Sequence, residues 1–460
     1  VSESESKDWR GLKMASPLDA ASLAEERAIL VGLEGASFGK RVSGYARLLG
    51  PGYLQSAMTL GGGTISSALF AGALFGYELL WVAPVSMAMG LCMLAAVSWQ
   101  TLSTGERPWP AMRRHAGPVF AWAWAIGALL SSIIWQFPQY ALSSAVLVDL
   151  FEVAGFPGFS PMAMGGLVLV WAIGISNLYG RSPGWVRAYE RLLQVLVWGI
   201  VVCFGWVVFS TGVSDWNAIL RGFFTFQIPD TRNGIAGATL ILSGLSAAVG
   251  VNMVFLYPYT MLARGWGREH RSLARFDLLL GMFIPYTIAV SLVVIATANT
   301  LHLDPSYDGT KLSAVQAANV FASAIGPVNG RFVFGLGVLG MALSSITLQM
   351  ITCGFVGVEL FGYTVGSWKH RLATWLPIPG VLGCVYWSDV AVWVAVPTNI
   401  ICGLFLPAAY VGFCILQRSR AYLGSDRPGG VTGVLWFAGM VGTTAFLIAF
   451  FGWYVMGLLA

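Results

Sequence analysis

From about residue 45 to its end, the chain alternates long apolar runs with short polar loops. Each run is close to the roughly 20 residues that an α-helix needs to cross a bilayer. Eleven spans are predicted, at about 45–71, 76–99, 118–150, 163–179, 190–211, 237–262, 274–299, 330–360, 371–388, 391–416 and 432–458. This divides the chain into a polar N-terminal arm (1–43), five spans (44–211), a loop (212–236), five more spans (237–416), and a loop with a last span (417–460). The arm lacks an apolar stretch of signal-peptide type. An amphipathic helix is expected in it around Ala20–Leu33.

Two runs are broken internally. The first carries Gly61-Gly62-Gly63-Thr64 at its centre, and each glycine weakens a helix by about 1 kcal/mol relative to alanine. The sixth carries Gly244, Gly250, the amide Asn252 and, further on, Pro258, which has no N–H to donate. Broken backbone at membrane depth is tolerated only where it is buried in protein or lines a cavity. Corresponding breaks in two halves mark the substrate site of inverted-repeat transporters. The competing reading is close helix packing on small residues. The fold expected is an all-α polytopic membrane protein of five-plus-five inverted repeats, with helices 1 and 6 broken and one extra helix.

Charge fixes the orientation. Of the 26 Lys and Arg residues, all but Arg221, Arg232, Lys311 and Arg331 fall on the side of the N-terminal arm. Cytoplasmic loops carry the excess of Lys and Arg, so a cytoplasmic N-terminus and an inner (plasma) membrane location follow. Only 10% of residues are charged and 57% are hydrophobic, against about 25% charged in soluble domains. The net charge of +5 sits in these loops, so the lipid bilayer is expected as partner and nucleic acid is not. Cys92, Cys203, Cys353, Cys384, Cys402 and Cys414 lie in apolar runs without a CxxC pair. They are read as buried hydrophobes, with no disulfide and no cysteine metal site.

The glycine break predicts free N–H groups at the start of a half-helix. Such an end binds anions, and Thr64 and Ser66 would add hydroxyl donors. Span 3 carries Trp135-Gln136-Phe137-Pro138-Gln139-Tyr140, with Pro138 expected to kink it. Span 6 adds Asn252, Phe255 and Tyr257. Amides inside a membrane face a cavity or a partner, and aromatic walls suit a small organic solute. The aromatic residues read equally as core. Ser344, Ser345 and Thr347, with carbonyls near Met58 and Gly61, form a candidate site for a coupling sodium ion; alternatively these hydroxyls bond their own helix. No other cofactor is expected.

Several of these residues carry a resemblance. Gly50-Pro51-Gly52, the Gly-rich break eight residues on, Ala71-Gly72, Phe75-Gly76-Tyr77 and Leu79-Leu80-Trp81 resemble the first helix of the Nramp family. Ser344-Ser345 through Glu359, and the span with Pro407 near its end, are similar to its eighth and tenth helices. The resemblance implies a LeuT-like fold and proton-coupled import of divalent transition metals such as manganese and iron.

The chain departs from the family where the chemistry lies. The family's first-helix Asp and Asn, which bind the metal, align with Gly61 and Thr64. Its sixth-helix Met and second His align with Gly250 and Tyr257, with Asn252 beside the break. The third-helix Asp and Glu align with Gln136 and Gln139, and the tenth-helix Gln with Asn399. Removing the only carboxylate leaves a divalent charge uncompensated, and Gln takes up no proton. Neither metal import nor proton coupling is therefore expected to carry over. The expected substrate is a small organic solute with an anionic group, held by Gly61, Gly62, Gly63, Thr64, Gln136, Gln139, Gly250, Asn252, Tyr257 and Asn399. The alternatives are a largely hydrated divalent cation such as magnesium, favoured if Glu152 or Glu359 enters the cavity, and a non-transporting sensor or scaffold. A transporter, not an enzyme, is expected.

Overall fold

Ten of the eleven predicted crossings are helical in the computed structural model, which describes residues 11–15, 20–178, 183–213, 215–304, 307, 316–318 and 326–459. Arg181 and Lys311 lie outside the described residues. Span 1 comprises Pro51–Thr59 (1a) and Gly62–Phe75 (1b), bent by 52°. Span 2 is Val82–Thr104. Span 3 runs as Pro118–Ile134 and Gln136–Val153. Spans 4 and 5 are Pro161–Leu178 and Pro183–Thr211. Span 6 comprises Gly237–Ala248 (6a) and Val251–Ala263 (6b). Span 7 is built from Arg271–Leu278, a π-helical turn at Leu279–Phe283 and Ile284–Ala298. Span 8 is Pro327–Phe361. Span 10 runs as Ala391–Gly403 and Leu406–Arg418, and span 11 is Gly430–Leu459.

Both expected breaks are present. In span 6 the break falls at Val249 and Gly250, both extended, while Gly244 stays inside 6a. Span 3 turns at Trp135, because Pro138 has no N–H for the carbonyl four residues earlier.

The ninth span differs from expectation. Residues 371–388 do not form a membrane-length helix. They run as short pieces, Trp368–Thr374, Ile378–Leu382, Gly383–Tyr386 and Ser388–Val390. Pro377, Pro379, Gly380 and Gly383 stop any longer helix. The segment still traverses the protein. It starts with His370 and Thr374 against Gly354 of span 8, passes Gly380 against Gln136, and leads into Trp393, whose ring meets Phe70 of span 1b.

The loops sort onto two faces. Arg264, just past span 6, pairs with Glu26 of the arm helix Ala20–Gly32 and with Glu190 of span 5. Arg107 pairs with Glu359 at the end of span 8, and Arg268 and Arg271 with Asp426 ahead of span 11. This is the basic face. Arg232 with Glu78, and Arg331 with Asp149, lie on the opposite face.

Burial follows position. Span 6 is 89% buried, whereas spans 4, 5 and 11 are only 28–29% buried. They present Leu167, Val170, Val202, Phe209 and Val434 outward, as a helix solvated by lipid does. Spans 1 and 6 therefore form the centre, flanked by 3, 8 and 10. All six cysteines are free thiols.

Candidate functional site

The two breaks face one another and close a small cavity. Met58, Thr59, Gly61, Thr64, Trp135, Gln139, Ser246, Ala247, Gly250, Asn252, Met253, Ser345 and Gln349 line it. Its volume is about 20 Å³, room for about one water molecule or a bare ion.

The glycine triplet does not serve the role expected of it. Gly61 has φ −100° and ψ 179°, an extended conformation open to any residue. What the glycines permit is close approach by the protein itself. A Cβ at Gly62 would lie 2.8 Å from Leu142 and 3.0 Å from Gln139 Oε1. A Cβ at Gly63 would collide with the Trp135 ring and Asn399. One backbone donor of the break and its hydroxyls are engaged within the protein. Gly62 N–H donates to Gln139 Oε1 at 3.1 Å, the Thr64 hydroxyl donates to the Thr59 carbonyl, and Ser66 donates to Gly62 O at 2.7 Å. Of the N–H groups expected at the start of 1b, that of Gly62 is thus taken by the side chain of Gln139 in span 3.

Three more predicted residues stand apart from the cavity. Gln136 donates to Ile346 O at 2.9 Å, between spans 8 and 9. Tyr257 donates to Ala274 O at 3.3 Å, toward the basic face. Asn399 donates to Gly63 O, Ser67 Oγ and Ser243 Oγ at 2.8–3.0 Å, tying together spans 1b, 6a and 10. Its role is to hold the helices around the site. Glu359 lies with Arg107 and does not line the cavity; Glu152 does not line it either.

Met58, Gly61, Thr64, Gln139, Gly250, Asn252 and Ser345 do converge on the cavity. Ser345 is its hub. Its hydroxyl receives Gln139 Nε2 at 3.3 Å and Gln349 Nε2 at 3.2 Å, and lies 3.4 Å from Met58 O. Ser344 donates to Ala57 O at 3.0 Å. The residues of the candidate sodium site thus meet, with Met58 O accepting from the Ser345 hydroxyl and Gly61 O from Ile65 N–H.

Four contributors were not anticipated: Thr59, Ser246, Met253 and Gln349. The Met253 sulfur lies 3.4 Å from Gly250 N and 3.3 Å from Thr59 Oγ1. One turn into 6b, it folds back over the very break where Gly250 stands in place of a methionine. Gln349 is buried and its Oε1 has no partner. Ser246 Oγ is likewise unpartnered. The C-terminal ends of 1a and 6a and the N-terminal ends of 1b and 6b all meet here, so their opposite half-charges oppose one another. Among the described residues no three His, Cys, Asp or Glu side chains cluster as a metal site. The cavity is lined by uncharged residues: hydroxyl and amide side chains, two methionines, Trp135, Ala247 and two glycines.

Two helices broken at mid-depth around a closed cage, five spans apart, define a membrane transporter of the LeuT-like fold. The Natural resistance-associated macrophage protein-like profile matches residues 52–452, and the chain belongs to the Nramp family. It is 24% identical over 408 residues to the Divalent metal cation transporter MntH of Chromohalobacter salexigens, covering 85% of this chain and 88% of that protein. It is 22% identical to MntH of Bacillus subtilis over 364 residues, 78% of this chain and 80% of that one. Among solved structures, a mutant of the Eremococcus coleocola manganese transporter superposes with a TM-score of 0.71 at 17% identity, covering 90% of this chain and 87% of that one. MHP1, a nucleobase-cation-symport-1 family transporter, superposes at 0.55 with 14% identity, over 88% and 91% of the two chains.

Proposed function

We propose that the protein carries a divalent metal cation across the membrane by alternating access, through the cage between the two breaks. The observation that carries this reading is the cage itself: about 20 Å³, with hydroxyl and amide groups and the Met253 sulfur in its wall. A cage of that size favours an ion over the organic carboxylate expected from the sequence. The relatives named as divalent metal cation transporters support the same reading. With no carboxylate in the cage, binding is weak. The negative ends of 1a and 6a are opposed by the positive ends of 1b and 6b, so little offsets the cost of a buried dication, and the ion keeps part of its water.

Gln136 and Gln139 align with the third-helix Asp and Glu that the Nramp resemblance makes proton-transfer residues. Amides do not titrate, so transport follows the metal gradient. The positive-inside rule makes the basic face cytoplasmic.

Proteoliposome uptake tests the proposal. Manganese and cadmium are expected to enter above the empty-vesicle level, without a pH gradient. Thermal unfolding of the detergent-solubilised protein should shift upward with millimolar metal and reverse with chelator, because ligands that bind the native state stabilise it. A shift with amino acids or organic acids and none with metals would overturn the reading. Uptake that requires sodium would restore the Ser344–Ser345 ion site.

A further inference from the structure

Outside the transport path, a concave feature lies between spans 10 and 11. It is a groove of about 600 Å³ with a floor of Val411, Cys414, Phe437, Val441, Ala445 and Ile448. Its one polar end, at the basic face, is formed by Arg418, Ser419 and His115. The arginines of this face divide into paired and unpaired ones. Arg114 is paired with Glu106, and Arg268 and Arg271 with Asp426. Arg418 lies over the Phe437 ring at 5.2 Å and makes no ion pair among the described residues. His115 stacks on Tyr422 at 5.2 Å. Its burial, reinforced by Arg114, lowers its pKa, so at neutral pH it is uncharged and leaves Arg418 as the cation of the groove.

We propose that this groove binds an anionic phospholipid, with acyl chains on Phe437, Val441 and Ile448 and the phosphate on Arg418 and Ser419. An apolar trough running along two helices and ending in an unpaired guanidinium at the helix ends matches that ligand in length order and charge. A basic residue near an anionic headgroup contributes about 1 kcal/mol, roughly fivefold in affinity. The site also has a route to function. Span 10 carries Asn399, which holds span 1b at Gly63, and a lipid wedged behind span 10 supports that contact.

The test titrates the full-length protein in detergent with short-chain phosphatidylglycerol and with phosphatidylcholine of the same chains, reading bound lipid by native mass spectrometry. Phosphatidylglycerol is expected to bind at least about fivefold more tightly. Arg418→Gln should reduce it to the phosphatidylcholine level, Arg418→Lys should retain the preference, and Val441→Trp should weaken both lipids by filling the trough. Equal binding of the two lipids by the native protein, or an unchanged preference in Arg418→Gln, would overturn the proposal. So would a concentration-dependent dimer that Val441→Trp abolishes, since the groove would then belong to a second copy of the chain.

Discussion

Gly61→Asp places a carboxylate where the Nramp resemblance puts the metal-binding aspartate, and the structure accommodates it. The backbone at Gly61 is extended with negative φ, so an L side chain adds no strain. A Cβ there would meet Gln139 Nε2 at 2.8 Å and Ser345 Oγ at 2.9 Å. Both are ends of side chains that can yield, and both can donate to a carboxylate. A unit-charge pair 4 Å apart at an effective dielectric of 20 gains about 4 kcal/mol, so a dication gains about 8. Without metal the buried carboxylate takes up a proton, and releasing that proton on binding costs several kcal/mol. A net gain of about 3 kcal/mol remains, or roughly 100-fold in affinity. Isothermal titration of manganese into the purified variant measures it. Gly61→Asn, of the same shape and without charge, should gain less than about fivefold. If Gly61→Asp folds and binds manganese no more tightly than the native protein, or if the Asn variant gains as much, the cage is not the cation site and the electrostatic reasoning fails.

Three further outcomes follow from the same geometry. Met253→Leu keeps the core volume, at a cost below about 1.5 kcal/mol, but removes the soft ligand; cadmium affinity should fall about tenfold with magnesium unchanged, and an equal loss for both would refute a role for the sulfur. Gly63→Ala should destabilise by about 1–3 kcal/mol through overpacking of Trp135 and disruption of the Asn399 bonds, seen as a lower thermal midpoint; no change would mean that the ring moves freely. At Asp426 burial acts to raise the pKa, but hydrogen bonds from Arg271 and Arg268 prevail and hold it below the usual value. Its contribution to stability is therefore full above the unfolded pKa of about 3.9 and is lost as pH falls through the lower folded pKa. Thermal unfolding should separate the native protein from Asp426→Asn by a constant margin above about pH 4 that closes below it; a margin that closes near neutrality would contradict the assigned shift.

Much of the architecture is legible in the sequence, because each span must satisfy its backbone within itself and so carries its own apolar signature. The breaks are legible for the complementary reason: three glycines, and Gly250 next to Asn252, interrupt that signature. The ninth crossing was misjudged because its mean apolarity masks Pro377, Pro379, Gly380 and Gly383, the very residues that forbid a helix. Gln349 had a readable signal, an amide four residues from Ser345 and so on the same helix face. Met253 was missed because the sulfur was sought at position 250, not one turn further along a half-helix that curls back on its own start. The capping of Gly62 by Gln139 leaves no local trace. It depends on span 3 approaching span 1b, a contact between residues 77 positions apart.

The irregular ninth crossing has a consequence for how the protein is made. Its residues include Lys369, His370, Arg371 and Asp389 beside two prolines and two glycines. Such a stretch, with many backbone groups unpaired within itself, is a poor substrate for insertion on hydrophobicity alone. In the folded protein it packs against spans 3, 4 and 8, all of which precede it in the chain. Until it docks, Gln136 lacks the backbone of Gly380 that presses on it, and span 10, with Asn399, has no starting point on the far side. A chain halted before residue 390 holds both breaks without Asn399, the amide that bonds Gly63 O of span 1b and Ser243 Oγ of span 6a.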